Sequence, residues 1–285
     1  MYFRPNTLSE AVNLLAASGG KVLAGGTDVF PSLGDAPLTG TVVDISALRE
    51  LRGISEDDQY FRIGGLTTWT DIALKRLPRC FDALKAAAHE IGGVQIQNRG
   101  TVAGNLCNAS PAADSVPALV AAGAVVTIQG PKARRQVPVE KFAAGPGKTT
   151  LKPGEIVVSL TLPARPRGAG DAYLRLIPRT EMDIAVVGCG VSLVMKGDTC
   201  VSARVGLGAV APTVLLVEAA GKALTGSKLD DAALDAAANA CSAACRPIDD
   251  KRGTIRYRTK IAGVLLRRAT AIARDRANGI SHQAH

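Results

Sequence analysis

The spacing of apolar residues along the chain predicts an ordered series of helices and strands. Thr7-Leu-Ser-Glu10 has the form of a capping box, and the apolar residues after it predict a helix that ends at Ser18-Gly19-Gly20. Thr68-Trp-Thr-Asp71 predicts a second capped helix in the same way. Further helices are predicted at 81–91, 230–244 and about 254–277, and strands at 21–24, 41–45, 59–64, 125–129, 155–162, 172–177, 184–195 and 201–208. Because groups of strands and groups of helices follow one another without a βαβ repeat, the pattern favours an α+β fold.

Two segments lack this periodicity. The passage from 92 to 117 is rich in Gly, Asn, Pro and Ser, so we predict a long loop there, of the kind that usually has a function. The segment 163–170 has the composition of a linker. We therefore expect two domains with their boundary in this linker.

Composition limits the class of protein. The chain has 285 residues, of which 47% are apolar and 21% charged, so it is long enough for about two folded domains and is not a disordered chain. Its apolar stretches are shorter than the ~18 to 20 residues that cross a bilayer, so we expect no membrane span. The first nine residues do not resemble a secretory signal, and six cysteines fit a reducing compartment, so we expect a cytoplasmic protein.

The residue types that carry chemistry argue against several functions. The cysteines include no C-x-x-C pair, which argues against a zinc or iron–sulfur site. The chain has three histidines, which argues against a hydrolase that depends on histidine. Gly147-Lys148-Thr149 is similar to the end of a P-loop, but Phe142 stands where that motif needs glycine. The G-x-G-x-x-A sequence at 206–211 has no βαβ unit after it, which argues against a Rossmann dinucleotide site.

The net charge of +9 is concentrated near the C-terminus. Between Arg246 and Arg276, ten Lys and Arg stand against three Asp, a surplus of +7. Three interpretations remain open: a solvated helix face, a docking surface for a protein partner, and a basic interaction or nucleic-acid-binding module. Aromatic residues make up 4% of the chain and supply a poor base-stacking surface, so we expect no nucleic-acid partner.

Two glycine-bearing segments are candidates for binding an anion. Ala24-Gly25-Gly26-Thr27-Asp28 follows a predicted strand, and Gly100-Thr101-Val102-Ala103-Gly104-Asn105 lies inside the long polar passage. Glycine allows positive φ and close backbone approach, which let consecutive N–H groups converge on phosphate oxygens. Either segment alone is also typical of an ordinary tight turn. Together they could hold a diphosphate between them.

These segments belong to seven motifs that occur in order along the chain. The motifs are Leu23-Ala-Gly-Gly-Thr-Asp28, Arg62-Ile-Gly-Gly-Leu-Thr-Thr68, Thr101-Val-Ala-Gly-Asn-Leu-Cys-Asn-Ala-Ser-Pro-Ala-Ala-Asp114, Gly145-Pro-Gly-Lys-Thr149, Pro153-Gly-Glu-Ile-Val157, Arg179-Thr-Glu-Met-Asp-Ile-Ala185, and Asp250-Lys-Arg-Gly253 with Tyr257-Arg258. With them the chain resembles the FAD-binding (medium) subunit of molybdenum hydroxylases, the family of xanthine dehydrogenase and carbon monoxide dehydrogenase. The resemblance implies a two-subdomain FAD-binding domain of the vanillyl-alcohol-oxidase (PCMH) type over 1–167, with subdomains of about 1–55 and 56–167. A smaller C-terminal α+β domain would span 171–285.

The resemblance also implies which residues contact a bound FAD. Around the diphosphate and ribityl region it places Val22, Leu23, Ala24, Gly25, Gly26, Thr27 and Asp28, and in the second diphosphate loop Thr101, Ala103, Gly104 and Asn105. It assigns the cofactor hydroxyl groups to Asp114 and the adenine side to Ile91. The isoalloxazine ring is assigned to Ile156, Val157 and Arg175. Ala103 departs from the glycine common in the family, and Thr27-Asp28 replaces the His-Ser of some carbon monoxide dehydrogenase members, which disfavours CO oxidation. No histidine lies near either loop, so we expect non-covalent FAD. We expect no catalytic side chain and no metal site in this chain.

The function implied by the resemblance is electron transfer within a complex. A large molybdopterin subunit would hydroxylate the substrate, and a small subunit would relay electrons through [2Fe–2S] clusters to FAD in this chain. The family suggests a dimer of heterotrimers, with NAD, oxygen or a quinone-linked carrier as the final acceptor. Two alternatives remain: a stand-alone FAD-dependent oxidoreductase of the same fold, and the basic interaction or nucleic-acid-binding module.

Overall fold

A computed structural model of the chain describes residues 1–179 and 182–281. Residues 180, 181 and 282–285 lie outside the described part, so the motif at 179–185 and the end of the predicted second domain are described only in part. The helices of the described part are α1 (Leu8–Ser18), α2 (Trp69–Leu74), α3 (Asp82–Glu90), α4 (Val94–Gln97), α5 (Val102–Asn108), α6 (Ser115–Ala122), α7 (Glu218–Leu224), α8 (Asp231–Ala244) and α9 (Ile255–Ala277). The strands are β1 (Tyr2–Phe3), β2 (Lys21–Leu23), β3 (Val42–Asp44), β4 (Ile54–Glu56), β5 (Tyr60–Gly64), β6 (Val125–Gln129), β7 (Arg134–Pro138), β8 (Ala143–Gly145), β9 (Lys148–Thr149), β10 (Ile156–Pro163), β11 (Ala169–Leu176), β12 (Val187–Lys196), β13 (Thr199–Gly208) and β14 (Leu215–Leu216).

The first half of the chain forms two main sheets that share core residues. β1, β3 and β2 make a parallel three-stranded sheet in that order, and α1 contributes Ala11, Val12 and Leu15 to its core. β4, β5, β10, β6 and β7 make an antiparallel five-stranded sheet, while β8 and β9 pair as a hairpin. Ile156 and Val158 at the start of β10 pack in the core of the small sheet. β10 therefore joins the two layers.

The second half is an antiparallel four-stranded sheet in the order β11, β12, β13 and β14. Within this half, α9 packs on β11 and β12, α8 packs on α9, and α7 packs on β13. Two helices of the first half also pack on this sheet: α3 on β11, and α6 on β12 and β13. Gly190 and Gly206 permit the contact with α6, because a Cβ at either position would stand 2.4 Å from the carbonyl oxygen of Pro117. The two halves of the chain therefore meet through α3 and α6.

The predicted α+β class and the two capped helices are confirmed. The Thr7 hydroxyl accepts a hydrogen bond from the N–H of Glu10 (3.2 Å) at the start of α1. Thr68 and Asp71 exchange both hydrogen bonds of a capping box at the start of α2. Local side-chain to backbone bonds of this kind depend on residues three apart, which is why the sequence predicts them well.

The predicted long loop from 92 to 117 is wrong, because α4, α5 and the start of α6 lie inside it. α6 is buried at every residue, so it has no polar face and shows no helical periodicity. α5 contains Gly104 and two asparagines, which are poor helix formers, and it depends on the Thr101 cap and on packing. Tertiary contacts therefore override local preference in this passage.

Several cations of the basic C-terminal stretch are tied into the fold. Arg258 is 3% exposed and donates to the carboxylate of Asp250 (2.6 Å) and to the carbonyl oxygen of Val186 (2.6 Å). Arg276 donates to the carbonyl oxygen of Asp171 (2.8 Å). These charges stabilise the C-terminal sheet from within and are not part of a solvated helix face. None of the helices in the described ranges is long and apolar enough to cross a bilayer.

Candidate functional site

A cavity of about 690 Å³ opens between the loop after β2, the segment around α4 and α5, and the start of β10. Small-molecule and cofactor sites fall in the range of about 300 to 1,000 Å³. Thirteen of the sixteen predicted contact residues line it: Val22, Ala24, Gly25, Gly26, Thr27, Asp28, Ile91, Thr101, Ala103, Gly104, Asn105, Ile156 and Val157. The fold therefore brings both glycine-bearing segments to one cavity.

The loop after β2, residues 24–29, has free backbone donors. Gly26 has a φ of +77°, in the region that favours glycine. The backbone N–H groups of Gly25, Gly26, Thr27, Asp28 and Val29 have no acceptor among the described residues. Consecutive free N–H groups along a cavity wall form a concave site for an anion.

The segment from Gly100 to Asn105 is built differently, because its backbone donors are used by the fold. The N–H of Ala103 donates to the carbonyl oxygen of Gly65 (3.0 Å), and that of Gly104 donates to the hydroxyl of Thr101 (3.1 Å). Neither Gly100 nor Gly104 has a positive φ. Side chains remain as donors: the Thr101 hydroxyl hydrogen is free, and no acceptor within the described ranges meets the side-chain NH₂ of Asn105. The first loop therefore offers backbone donors, and this segment offers side-chain donors.

The two loops touch at Gly25. A Cβ there would stand 2.0 Å from the carbonyl oxygen of Arg99 and 3.2 Å from the Cα of Gly100. A side chain at this position would force the loops apart, so glycine is required for their approach.

The rest of the wall is mainly apolar. Ile156 and Val157 are each 3% exposed at the start of β10, and Ile91 is 8% exposed before α4. Cys107 also lines the cavity, and burial raises the pKa of its thiol to about 12, so it remains protonated. An apolar wall next to a set of amide donors suits a ligand with a flat ring system and an anionic chain.

One carboxylate lies beside the free amides. Asp28 accepts a hydrogen bond from the side-chain nitrogen of Asn108 (3.0 Å), and burial raises its pKa above the ordinary value. The Asn108 amide therefore offsets part of the negative charge that an approaching anion would meet.

Three predicted contact residues do not line the cavity. Leu23 is 7% exposed within β2. Arg175 pairs with Asp114 (3.0 Å) and with Glu90 (2.6 Å), and the Tyr173 hydroxyl donates to Asp114 (2.7 Å). Burial raises the pKa of Asp114 to about 6 despite this pairing. These groups tie the start of α6 to β11, and their contact with a cofactor stays a prediction.

Sequence reasoning did not assign Trp69, Asn108, Glu155 or Lys21 to the site, although all four line the cavity. Asn108 and Glu155 lie inside two of the seven motifs, and Trp69 directly follows a third. Counting every residue of the motifs, together with the residue after Thr68, would have found three of the four; Lys21 lies outside the motifs and their immediate neighbours. In the described ranges no group of three or more His, Cys, Asp or Glu side chains could hold a metal ion.

Comparison with known proteins identifies the architecture. Residues 1–165 match the family model described as the FAD binding domain in molybdopterin dehydrogenase, and residues 172–273 match the CO dehydrogenase flavoprotein C-terminal domain. The chain is 36% identical over 284 residues to the carbon monoxide dehydrogenase medium chain of Afipia carboxidovorans, covering 97% of each chain. It is 33% identical over 283 residues to a xanthine dehydrogenase FAD-binding subunit of Escherichia coli, covering 98% of this chain and 97% of the relative.

A solved structure agrees with this assignment. In the reconstituted CO dehydrogenase from Oligotropha carboxidovorans, one chain superimposes with a TM-score of 0.92 at 36% identity, covering 96% of this chain and 97% of that chain. The two domains that the resemblance implies, an FAD-binding domain and a C-terminal domain, are matched in this order along the chain. The chain belongs to the family of FAD-binding medium subunits of molybdenum-containing dehydrogenases.

Proposed function

We propose that this chain binds one FAD non-covalently in the cavity between its two glycine-bearing segments. In this proposal it takes electrons from [2Fe–2S] clusters of a small partner subunit and passes them to an external acceptor. A large partner subunit would hold the molybdopterin and the organic substrate. When bound, FAD supplies a redox group that accepts and releases two electrons.

The set of free amides at residues 25–29 is the observation that carries this proposal. The five residues line a cavity of about 690 Å³, and their N–H groups have no acceptor within the described part of the chain. A diphosphate would satisfy them with charge-assisted hydrogen bonds, each contributing about 1.5 to 3 kcal/mol. Lys21, which also lines the cavity, adds a positive charge.

The remaining wall residues would orient the cofactor. The Thr101 hydroxyl and the Asn105 amide would donate to the diphosphate from the opposite side, while Ile91 would contact the adenine half. Ile156 and Val157 would pack against the isoalloxazine ring and exclude water from that face. The proposal invokes no acid–base pair of this chain, because the redox chemistry is that of the cofactor.

The wider organisation follows from the same proposal. We expect an FAD-binding domain over 1–167, with subdomains of about 1–55 and 56–167, and a C-terminal domain over 171–285. The assembly would be a dimer of heterotrimers in the cytoplasm, with NAD, oxygen or a quinone-linked carrier as acceptor. Relatives named as medium chains of carbon monoxide dehydrogenase support a multi-subunit assembly.

Purification of the native protein separates this proposal from the alternatives. Flavin, iron–sulfur absorption and molybdenum that co-purify with the chain would support it. A lone yellow subunit that turns over an organic substrate would instead support a stand-alone oxidoreductase. Colourless protein retained on nucleic acid, with affinity that falls steeply as salt rises, would support the basic module. The internal pairing of Arg258 and Arg276 argues against that last outcome.

A further inference from the structure

The side chain of Asn105 is bound on its buried side by a serine. Ser115, the first residue of α6, is 1% exposed, and its hydroxyl donates to the Oδ1 atom of Asn105 (2.6 Å). Within the described ranges this hydroxyl makes no other hydrogen bond. A separation of 2.6 Å suits an O–H···O bond, at about 2.5 to 3.0 Å, and is short for an N–H···O bond, at about 2.7 to 3.2 Å. The contact therefore fixes which end of the amide faces the serine.

This orientation leaves the NH₂ group as the free end of the Asn105 amide. Among the described residues, no atom accepts a hydrogen bond from it. Its nitrogen is not one of the unpaired polar atoms of the described part that are closed to solvent, and the half-buried Asn105 lines the cavity. The accessible end of the amide is therefore a donor and not an acceptor.

The C-terminal sheet fixes the position of Ser115. Asp114, the residue before it, accepts hydrogen bonds from the Tyr173 hydroxyl (2.7 Å) and from Arg175 (3.0 Å), both on β11. α6 is buried at every residue and packs on β12 and β13. Ser115 is thus held in place independently of Asn105, so its hydroxyl is a fixed reference for the orientation of the amide.

We propose that Ser115 is a positioning residue, which turns the Asn105 amide so that its NH₂ group donates to the diphosphate of FAD. This inference rests on the proposed function, because it needs FAD in the cavity. The reversed amide would present Oδ1 to negatively charged phosphate oxygens and would leave the Ser115 hydroxyl hydrogen against an NH₂ group, which cannot accept it. Ser115 itself does not line the cavity, so it acts on the cofactor through Asn105.

NMR of the full-length wild-type chain labelled with ¹⁵N-asparagine tests the donor directly. The side-chain NH₂ signals of Asn105 are identified by their absence from Asn105→Ala. On addition of FAD we expect one proton of this group to shift downfield, because it enters a hydrogen bond to phosphate. NH₂ signals that stay unchanged while FAD binds would overturn the inference, since the free end of the amide would then not meet the cofactor.

Ser115→Ala removes the hydroxyl and allows the amide to turn. If the donor orientation falls to between about a third and a tenth of the population, Kd for FAD rises about 3- to 10-fold. Ser192→Ala is the matched control, because this serine of β12 is 2% exposed and lies outside the cavity wall; it should leave Kd unchanged. Thermal unfolding confirms that each variant is folded, and the wild-type NMR measurement stands even if Ser115→Ala does not fold.

A double-mutant cycle separates positioning from a general loosening of the fold. If Ser115 acts through Asn105, then Ser115→Ala should not raise Kd further in an Asn105→Ala background. The same increase in both backgrounds would overturn the inference. Wild-type affinity retained in Ser115→Ala would refute only the positioning role, whereas a wild-type chain that does not bind FAD would refute the proposed function itself.

Discussion

Substitution of Gly25 by alanine tests the contact between the two glycine-bearing segments. Gly25 does not have a positive φ, so alanine is compatible with its backbone conformation and the effect is one of space alone. The new Cβ would stand 2.0 Å from the carbonyl oxygen of Arg99, whereas real Cβ contacts are essentially never closer than 3.0 Å. The two segments must therefore separate by about 1 Å, the difference between those distances.

A displacement of this size removes hydrogen bonds to a ligand held on both sides. A bond of about 2.9 Å lengthened by about 1 Å no longer meets the geometric limits for N–H···O. Loss of one charge-assisted bond costs about 1.5 to 3 kcal/mol, so we expect FAD to bind about 10- to 100-fold more weakly. The crowding itself should lower the free energy of unfolding by about 1 to 3 kcal/mol.

Calorimetric titration of FAD into the full-length chain measures the affinity, and thermal unfolding measures the stability. Gly145→Ala is the matched control, because a Cβ there meets nothing within 4 Å and the residue lies outside the cavity wall. We expect wild-type affinity and stability from it. A folded Gly25→Ala chain that binds FAD as tightly as the wild type would refute the argument that this contact shapes the site.

Three further predictions concern Asp171, Gly190 and Cys107. Burial raises the pKa of Asp171 to about 7, so the folded chain holds this proton more tightly than the unfolded chain does. Between about pH 4 and pH 7 the free energy of unfolding of the wild type should therefore fall by about 4 kcal/mol relative to that of Asp171→Asn. Urea unfolding at each pH measures this difference. Gly190→Ala places a Cβ 2.4 Å from the carbonyl oxygen of Pro117. We expect the free energy of unfolding to fall by about 1 to 3 kcal/mol and the affinity for FAD to stay unchanged. An unchanged unfolding midpoint would contradict the packing described for α6. Burial raises the pKa of the Cys107 thiol to about 12, so iodoacetamide at pH 8 should label this thiol slowly in the native protein and rapidly after denaturation. Rapid labelling of the native protein would show that this wall of the cavity opens.

Features determined by residues close in sequence were predicted from the sequence. The caps at Thr7 and Thr68 form because hydroxyl and amide stand three residues apart, and the loop at 24–28 follows its strand directly. Thirteen of the contact residues predicted from the family resemblance line one cavity, although they come from distant parts of the chain.

Features that depend on tertiary packing could not be predicted. α6 is buried at every residue, so no polar face marks it as a helix. The free amides of the first loop and the used amides of Ala103 and Gly104 look alike in sequence, because the difference lies in acceptors such as the carbonyl of Gly65. The hydrogen bond from Ser115 to Asn105 is likewise invisible without the fold around it.

A crystal structure of the chain grown with saturating FAD tests the central claim most directly. Our account predicts that the diphosphate oxygens lie within about 3.2 Å of the backbone nitrogens at residues 25–29, with the isoalloxazine ring against Ile156 and Val157. FAD bound with its diphosphate away from this loop, or no FAD in the cavity at saturating concentration, would contradict it.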